Sequence, residues 1–310
     1  MNPSVTPAIS GLTTSPNVPI LRWDGARLSE ESDELACEEP LEIRARGRSV
    51  SVTMRTPGHD DELAAGFLLT EGIVRRAGDV LRVEHCGRNE HGNVVNVLLA
   101  PDVHVDFDRL TRHVFASSSC GLCGKASIEL VRGQFLPLDP AAGTMAIDAI
   151  ALVCLLKLMR DAQSGFDRTG GLHAAGLFDE NGRLVVVRED VGRHNAVDKV
   201  LGYALLNGLT PLDRHVLLVS GRSSFEIMQK ALAGRVPVVA AVSAPSSLAV
   251  EFAAENGQTL VGFLRGQRMN VYAHPERVRF DPRHATSSPV AHNGRHGSGK
   301  STVPADDENR

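Results

Sequence analysis

The chain has 310 residues, 42% of them hydrophobic in type, enough for one large or two modest cores. A formal net charge of −4 and an aromatic content of 4% argue against a generally basic nucleic-acid binder and against a base-stacking platform for single strands. Five cysteines, an odd number at low density, do not describe a disulfide scaffold, and no run of eighteen uncharged apolar residues is present to span a membrane.

Residues 1–18 are rich in Pro, Ser and Thr, and residues 281–310 in His, Ser and Gly, so disordered tails are expected at both ends. The start has neither the basic cluster nor the apolar run of a secretory leader, and a cytoplasmic location is expected. Residues 19–113 are expected to form a smaller β-rich domain. LEIRARG and RSVSVTMRT alternate like the arms of a hairpin. TPGHDDELAAGFLLTEGIV places Thr56, Pro57 and two aspartates before Leu63, Phe67 and Leu68, and predicts a capped amphipathic helix. VLRVEHC and NVVNVLLA add two strands around the turn NEHGN. Residues 114–143 are expected as a mobile loop and linker carrying SSSCGLCGK, Ser117–Lys125. MAIDAIALVCLLKLMRDAQ is apolar on nearly all sides, which predicts a buried helix with Cys154 in the core.

Residues 144–280 read as an α/β domain. LHAAGLFDENGRLVVVRED predicts a hairpin through Asn181-Gly182. Helix Asn195–Asn207, strand HVLLVS, helix Phe225–Gly234, strand VPVVAAVS, helix Ser247–Asn256 and strand TLVGFL follow. The alternation predicts a three-layer α/β arrangement with a largely parallel sheet, in a chain that is α+β overall.

Ligands of such sheets bind beyond the carboxyl ends of the strands. Four segments follow strands there: EDVGRHN, SGRSS, SAPSS and RGQRMN. Between them they carry glycines and Arg193, Arg222, Arg265 and Arg268, and three lead into helices. Glycine admits a close backbone approach, arginine pairs with phosphate in a fork, and helix N-termini favour anions. Phosphate or pyrophosphate is the natural occupant, and Arg193, His194, Ser220, Gly221 and Arg222 are candidates to hold it. Gly294–Ser301, GRHGSGKS, matches the phosphate-loop pattern but has no strand before it and no helix after it, so it is read as a chance match.

One C-x-x-C pair, Cys120 and Cys123, lacks the second pair that a structural zinc site wants, so no dedicated metal site is expected. A zinc deaminase would need an H-x-E ahead of the pair; the nearest match, His173-Ala174-Ala175, follows it and lacks the glutamate. Cys37 and Cys86 are taken as structural, and His59 and His173 as turn or core residues. Lys125 beside the pair favours thiolate. Carriage of sulfur as a persulfide, a cofactor-binding chaperone with incidental thiols, and a dithiol oxidoreductase all remain open on these residues alone.

LACEEPLEIRARG, MRTPGHDDELAAGFLLTEGI, SSSCGLCGK, TGGLHAAGLF, REDVGRHNAVDKVLG, SGRSSFEIMQKA and GFLRGQRMNVY together resemble the formate dehydrogenase accessory sulfurtransferases, over residues 20–278. The resemblance implies a carrier-type sulfurtransferase that takes sulfur from a cysteine desulfurase as a persulfide. It implies delivery to the molybdenum or tungsten of the bis-molybdopterin guanine dinucleotide cofactor before insertion into the formate dehydrogenase catalytic subunit. It also implies a larger domain similar to the cytidine deaminase fold, and a homodimer. On this resemblance Cys120 bears the persulfide and Cys123 assists, while Phe263, Leu264, Arg265, Gly266, Gln267 and Arg268 contact the cofactor.

Overall fold

A computed structural model describes residues 15–86, 92–107, 133–139 and 145–281. Residues up to Arg279 form one compact unit, and everything below lies within it. The turn NEHGN falls largely, and the C-x-x-C stretch and GRHGSGKS wholly, outside the described residues.

The chain enters through an antiparallel hairpin, β1 (Asn17–Trp23) and β2 (Leu28–Glu34). The charged sequence LSEESDE does not alternate, so this hairpin had no periodic signature. The expected hairpin β3 (Glu39–Ala45) and β4 (Arg48–Arg55) is formed, with Ala45 opposite Arg48. Its two-residue turn, Arg46-Gly47, has φ of 51° and 79°, the left-handed pair that suits the twist of a tight hairpin. β5 (Val80–His85) and β6 (Val94–Leu99) complete a four-stranded sheet of order β4-β3-β6-β5. Leu41, Ile43 and Ala45 alternate onto its buried face, each buried apolar side chain contributing roughly 1–3 kcal/mol.

α1 (Asp60–Thr70) is neither amphipathic nor side-chain capped. Its N-cap is His59, in a left-handed conformation, and nine of its residues from Asp60 to Thr70 are buried. Thr56 serves elsewhere: its hydroxyl accepts from Val191 N–H and its own N–H donates to Asp190. The helix is covered on both sides because it lies against α4 (Arg193–Leu206) as well as against the small sheet. The two helices touch backbone to backbone. A Cβ on Gly66 would lie 1.8 Å from the Asp198 carbonyl oxygen, and one on Gly202 1.8 Å from that of Glu62, so glycine is required at both.

α2 (Ala149–Asp161) departs from expectation in the opposite sense. Only Leu152, Leu155 and Met159 are buried along one stripe, while Ile150, Cys154 and Leu158 are exposed. It forms an outer layer, with one face packed on the sheet among the described residues, and Cys154 lies outside the core. The short β7 (Ile147–Asp148) ahead of it pairs in parallel with β14 (Val278–Arg279), and α3 (Ser164–Thr169) follows it.

The larger sheet contains β8 (His173–Asp179), β9 (Leu184–Asp190), β10 (His215–Val219), β11 (Val238–Ala241), β12 (Thr259–Arg265) and β13 (Arg268–Ala273), in the order β13-β12-β11-β10-β8-β9. It is mixed rather than largely parallel. Only β10–β11 and β11–β12 are parallel pairs, because the flanking β8–β9 and β12–β13 strands are joined by tight turns that cannot make a parallel crossover. Both faces are covered. Leu217, Val219, Val239 and Ala241 join the core under α4, α5 (Phe225–Ala233) and α6 (Ser247–Glu255), while Val216, Leu218, Val238 and Ala240 pack with α2. That alternation explains why each strand reads as a continuous apolar run. The first of these cores runs on without a break to Leu41 and Ile43 of the small sheet.

Candidate functional site

β10, β11 and β12 run the same way, and β9, antiparallel to β8, which is itself antiparallel to β10, shares their direction. The four loops singled out in the sequence therefore emerge on one edge. Those after β10, β11 and β12 are pinned to one another: Ser246 N–H donates to Ser223 O at 3.0 Å, and Phe263 N–H to Ser243 O at 3.1 Å. Arg265 Nε donates to Val242 O at 3.1 Å, and Ser220 Oγ accepts from Ala174 N–H at 2.9 Å.

Arg193 and His194 occupy the first turn of α4. Gly221 sits beneath them, where a Cβ would contact His173 Nδ1 at 3.5 Å and Arg193 Cδ at 3.6 Å. His194 Nε2 lies 2.7 Å from Glu226 Oε2 in the first turn of α5. Burial pushes the Glu226 carboxyl up, but the His194 hydrogen bond and charge, with Lys230 and Arg193 behind them, hold it below the usual carboxylate range. Burial, and then the charges of Arg193 and His194, push His173 below the ordinary histidine range. Arg222 is exposed.

At the β12–β13 turn, Arg265, Gly266, Gln267 and Arg268 are exposed. Phe263 has a φ of 52°, rare for a side chain other than glycine, and stands 37% exposed with the Arg265 guanidinium 5.8 Å from its ring centre. The register shift between Gly262 and Arg265 re-aims this stretch out of the sheet. Leu264 points the other way and is fully buried beneath α2. Cys120 and Cys123 lie outside the described residues.

Behind the edge is a network that the sequence did not announce. Lys199 and Asp190, 1% and 0% exposed, are paired at 2.7 Å. Lys199 also donates to Thr56 O at 2.8 Å, while Asp190 accepts from Thr56 N, Gly192 N and Asn195 Nδ2. This network fixes the corner from which Arg193 and His194 project. The available signal was a lysine amid the buried positions of a helix, in NAVDKVLG. A cavity of about 290 Å³ opens next to this corner, lined by Cys37, Thr56, His59, Arg168 and Glu189 among others. Burial, followed by the neighbouring Glu39, pushes the Cys37 thiol up, which makes it a poor nucleophile. Among the described residues no group of three or more His, Cys, Asp or Glu is placed to hold a metal ion, and no helix is long and apolar enough to cross a membrane.

The fold and the site together define a mixed α/β protein with an arginine-rich loop edge at the carboxyl ends of its strands. Residues 36–279 match the model of the FdhD/NarQ family, and the chain belongs to that family. It is 53% identical over 261 residues to a sulfur carrier protein FdhD from Streptomyces avermitilis, covering 82% of this chain and 92% of the relative. It is 52% identical over 254 residues to one from Mycobacterium tuberculosis, covering 79% and 92%. Among solved structures it resembles a protein from Desulfotalea psychrophila assigned as a candidate formate dehydrogenase accessory protein. That match has a TM-score of 0.69 at 26% identity, over 86% of this chain and 100% of the other.

Proposed function

We propose that this chain is a sulfur carrier in the maturation of a formate dehydrogenase, with Cys120 as the carrier atom's site and the loop edge as the seat of the acceptor. Support comes from its FdhD relatives, from the C-x-x-C pair, and above all from the loops that bring Arg193, Arg222, Arg265 and Arg268 to one edge. In this reading the Cys120 thiolate attacks the terminal sulfur of a cysteine desulfurase persulfide. The donor cysteine departs as thiolate, and Cys120 keeps the sulfur as its own persulfide. The Cys123 thiolate then attacks Cys120 Sγ, forming a disulfide and expelling hydrosulfide toward the metal of the bis-molybdopterin guanine dinucleotide. The two thiols supply the two electrons, and a cellular dithiol reductant reopens the disulfide. The acceptor's pyrophosphates and guanines suit the arginines and helix N-termini of the edge.

The test is formate dehydrogenase activity in cells that depend on this chain. Cys120→Ala is expected to abolish activity while the protein folds normally. Full activity with that variant sinks the persulfide role and leaves a cofactor chaperone, whereas general disulfide turnover by the wild type favours a dithiol oxidoreductase.

A further inference from the structure

The hairpin of β1 and β2 is a two-stranded sheet of its own and pairs with no other strand among the described residues. None of its strand residues is buried. Val18 and Ile20, on one face, are half-buried. On the other face Trp23 sits across from Leu28 and Leu21 across from Glu30. Trp23, Leu21 and Leu28 are 63%, 66% and 59% exposed, and Trp23 is the only tryptophan of the chain. The turn is firmly built, because Asp24 Oδ1 accepts from Ala26 N–H at 2.9 Å and from Arg27 N–H at 2.8 Å. Arg22 pairs across the strands with Glu31 at 2.7 Å. The arm therefore keeps its shape to the tip, yet it holds its largest apolar side chains in water. A lone two-stranded hairpin is marginal by itself, and a contiguous apolar patch on one marks a surface to be covered.

The arm is rooted next to the loop edge. Arg168 of α3 donates to Glu34 at 2.9 Å, and a Cβ on Gly171 would lie 3.2 Å from that of Ala36. Two residues further on, His173 lies against Gly221 in the loop after β10. Residues 17–34 carry five acids against two arginines, and four of the acids are in β2. Such charge disfavours the same arm of a second copy, an anionic membrane and a nucleic acid. It favours a protein whose apolar groove has a basic rim. The arm also lies ahead of residues 36–279, the part that matches the family model, so the chemistry common to the family does not account for it. We propose that Leu21, Trp23 and Leu28 dock this arm into such a groove on the formate dehydrogenase catalytic subunit, with Glu30 facing the basic rim. The proposal rests on the sulfur-carrier reading, in which that subunit comes to the loop edge to receive the finished cofactor.

The experiment is calorimetric titration of the full chain with the purified, cofactor-free catalytic subunit, alongside the intact mass after sulfur loading by cysteine and a cysteine desulfurase. The wild type is expected to bind the subunit. The double variant W23S/L28S is expected to raise the dissociation constant about tenfold or more, because a desolvated tryptophan anchor carries an outsize share of binding. E30K is expected to raise it about threefold at low ionic strength and less at high. Both variants are expected to take up sulfur as the wild type does. Should W23S/L28S fold poorly, E30K alone decides. Unchanged affinity in the folded variants overturns the proposal. So does a wild type that loads sulfur but does not bind the subunit, and so does a loss confined to desulfurase binding or to self-association. A wild type that binds the subunit through the arm but takes no sulfur on Cys120 supports the docking surface and sinks the carrier reading.

Discussion

Lys199 places an ammonium group where almost no water reaches it, 2.7 Å from an equally buried Asp190. Asp190 ends β9 and Lys199 lies in the second turn of α4, and their partners Thr56 and Asn195 tie β4 to the β9–α4 corner. Removing one partner strands the other charge, so Lys199→Met is expected to destabilise the protein by roughly 3–5 kcal/mol, read from denaturant midpoints. Replacing both, with Lys199→Met and Asp190→Leu, should cost less than the sum of the single changes, and strict additivity would contradict a direct ion pair. At this scale the sequence was only partly legible. The arginines of the four loops could be found because they follow strands. Ser223, Ser224 and Glu226 could not be ranked above other polar residues, because their distinguishing feature is burial without a partner or beside one, which exists only in three dimensions. Leu264 shows the converse: it lies within a functional-looking stretch but faces the core.

Among the elements, α1 and α2 exchange the roles that their composition implies. α1 carries acidic residues at its start and was expected to face water on one side, yet it is enclosed. α2 is the more uniformly apolar and was expected to be enclosed, yet it is an outer layer with Ile150 68% exposed. Periodicity reports which positions are apolar, not how many neighbours cover the helix. The better signal in α1 was its small residues, Ala64, Ala65 and Gly66, which allow the approach to Gly202. Gly202→Ala would drive a methyl group to within 1.8 Å of the Glu62 carbonyl oxygen. It is expected to cost about 1–3 kcal/mol or more by forcing the helices apart, measured as a fall in the thermal midpoint. An unchanged midpoint would mean that the crossing is looser than the structure has it. Strand order, too, was only half legible. The Asn181-Gly182 hairpin marked one antiparallel flank, whereas the β12–β13 return had no comparable turn dipeptide, and the sheet therefore read as more parallel than it is.

For the molecule as a whole, one continuous core runs from the small sheet to α6, and the four arginine-bearing loops start from strands anchored in that core. The central claim is that such a scaffold presents an acceptor to a sulfur borne on Cys120. Its most direct test is the intact mass of the purified protein after incubation with cysteine and an active cysteine desulfurase, repeated on Cys120→Ala. A reducible gain of one sulfur atom in the wild type, absent from the variant, is the predicted result. The same gain in both proteins, or in neither, would contradict it.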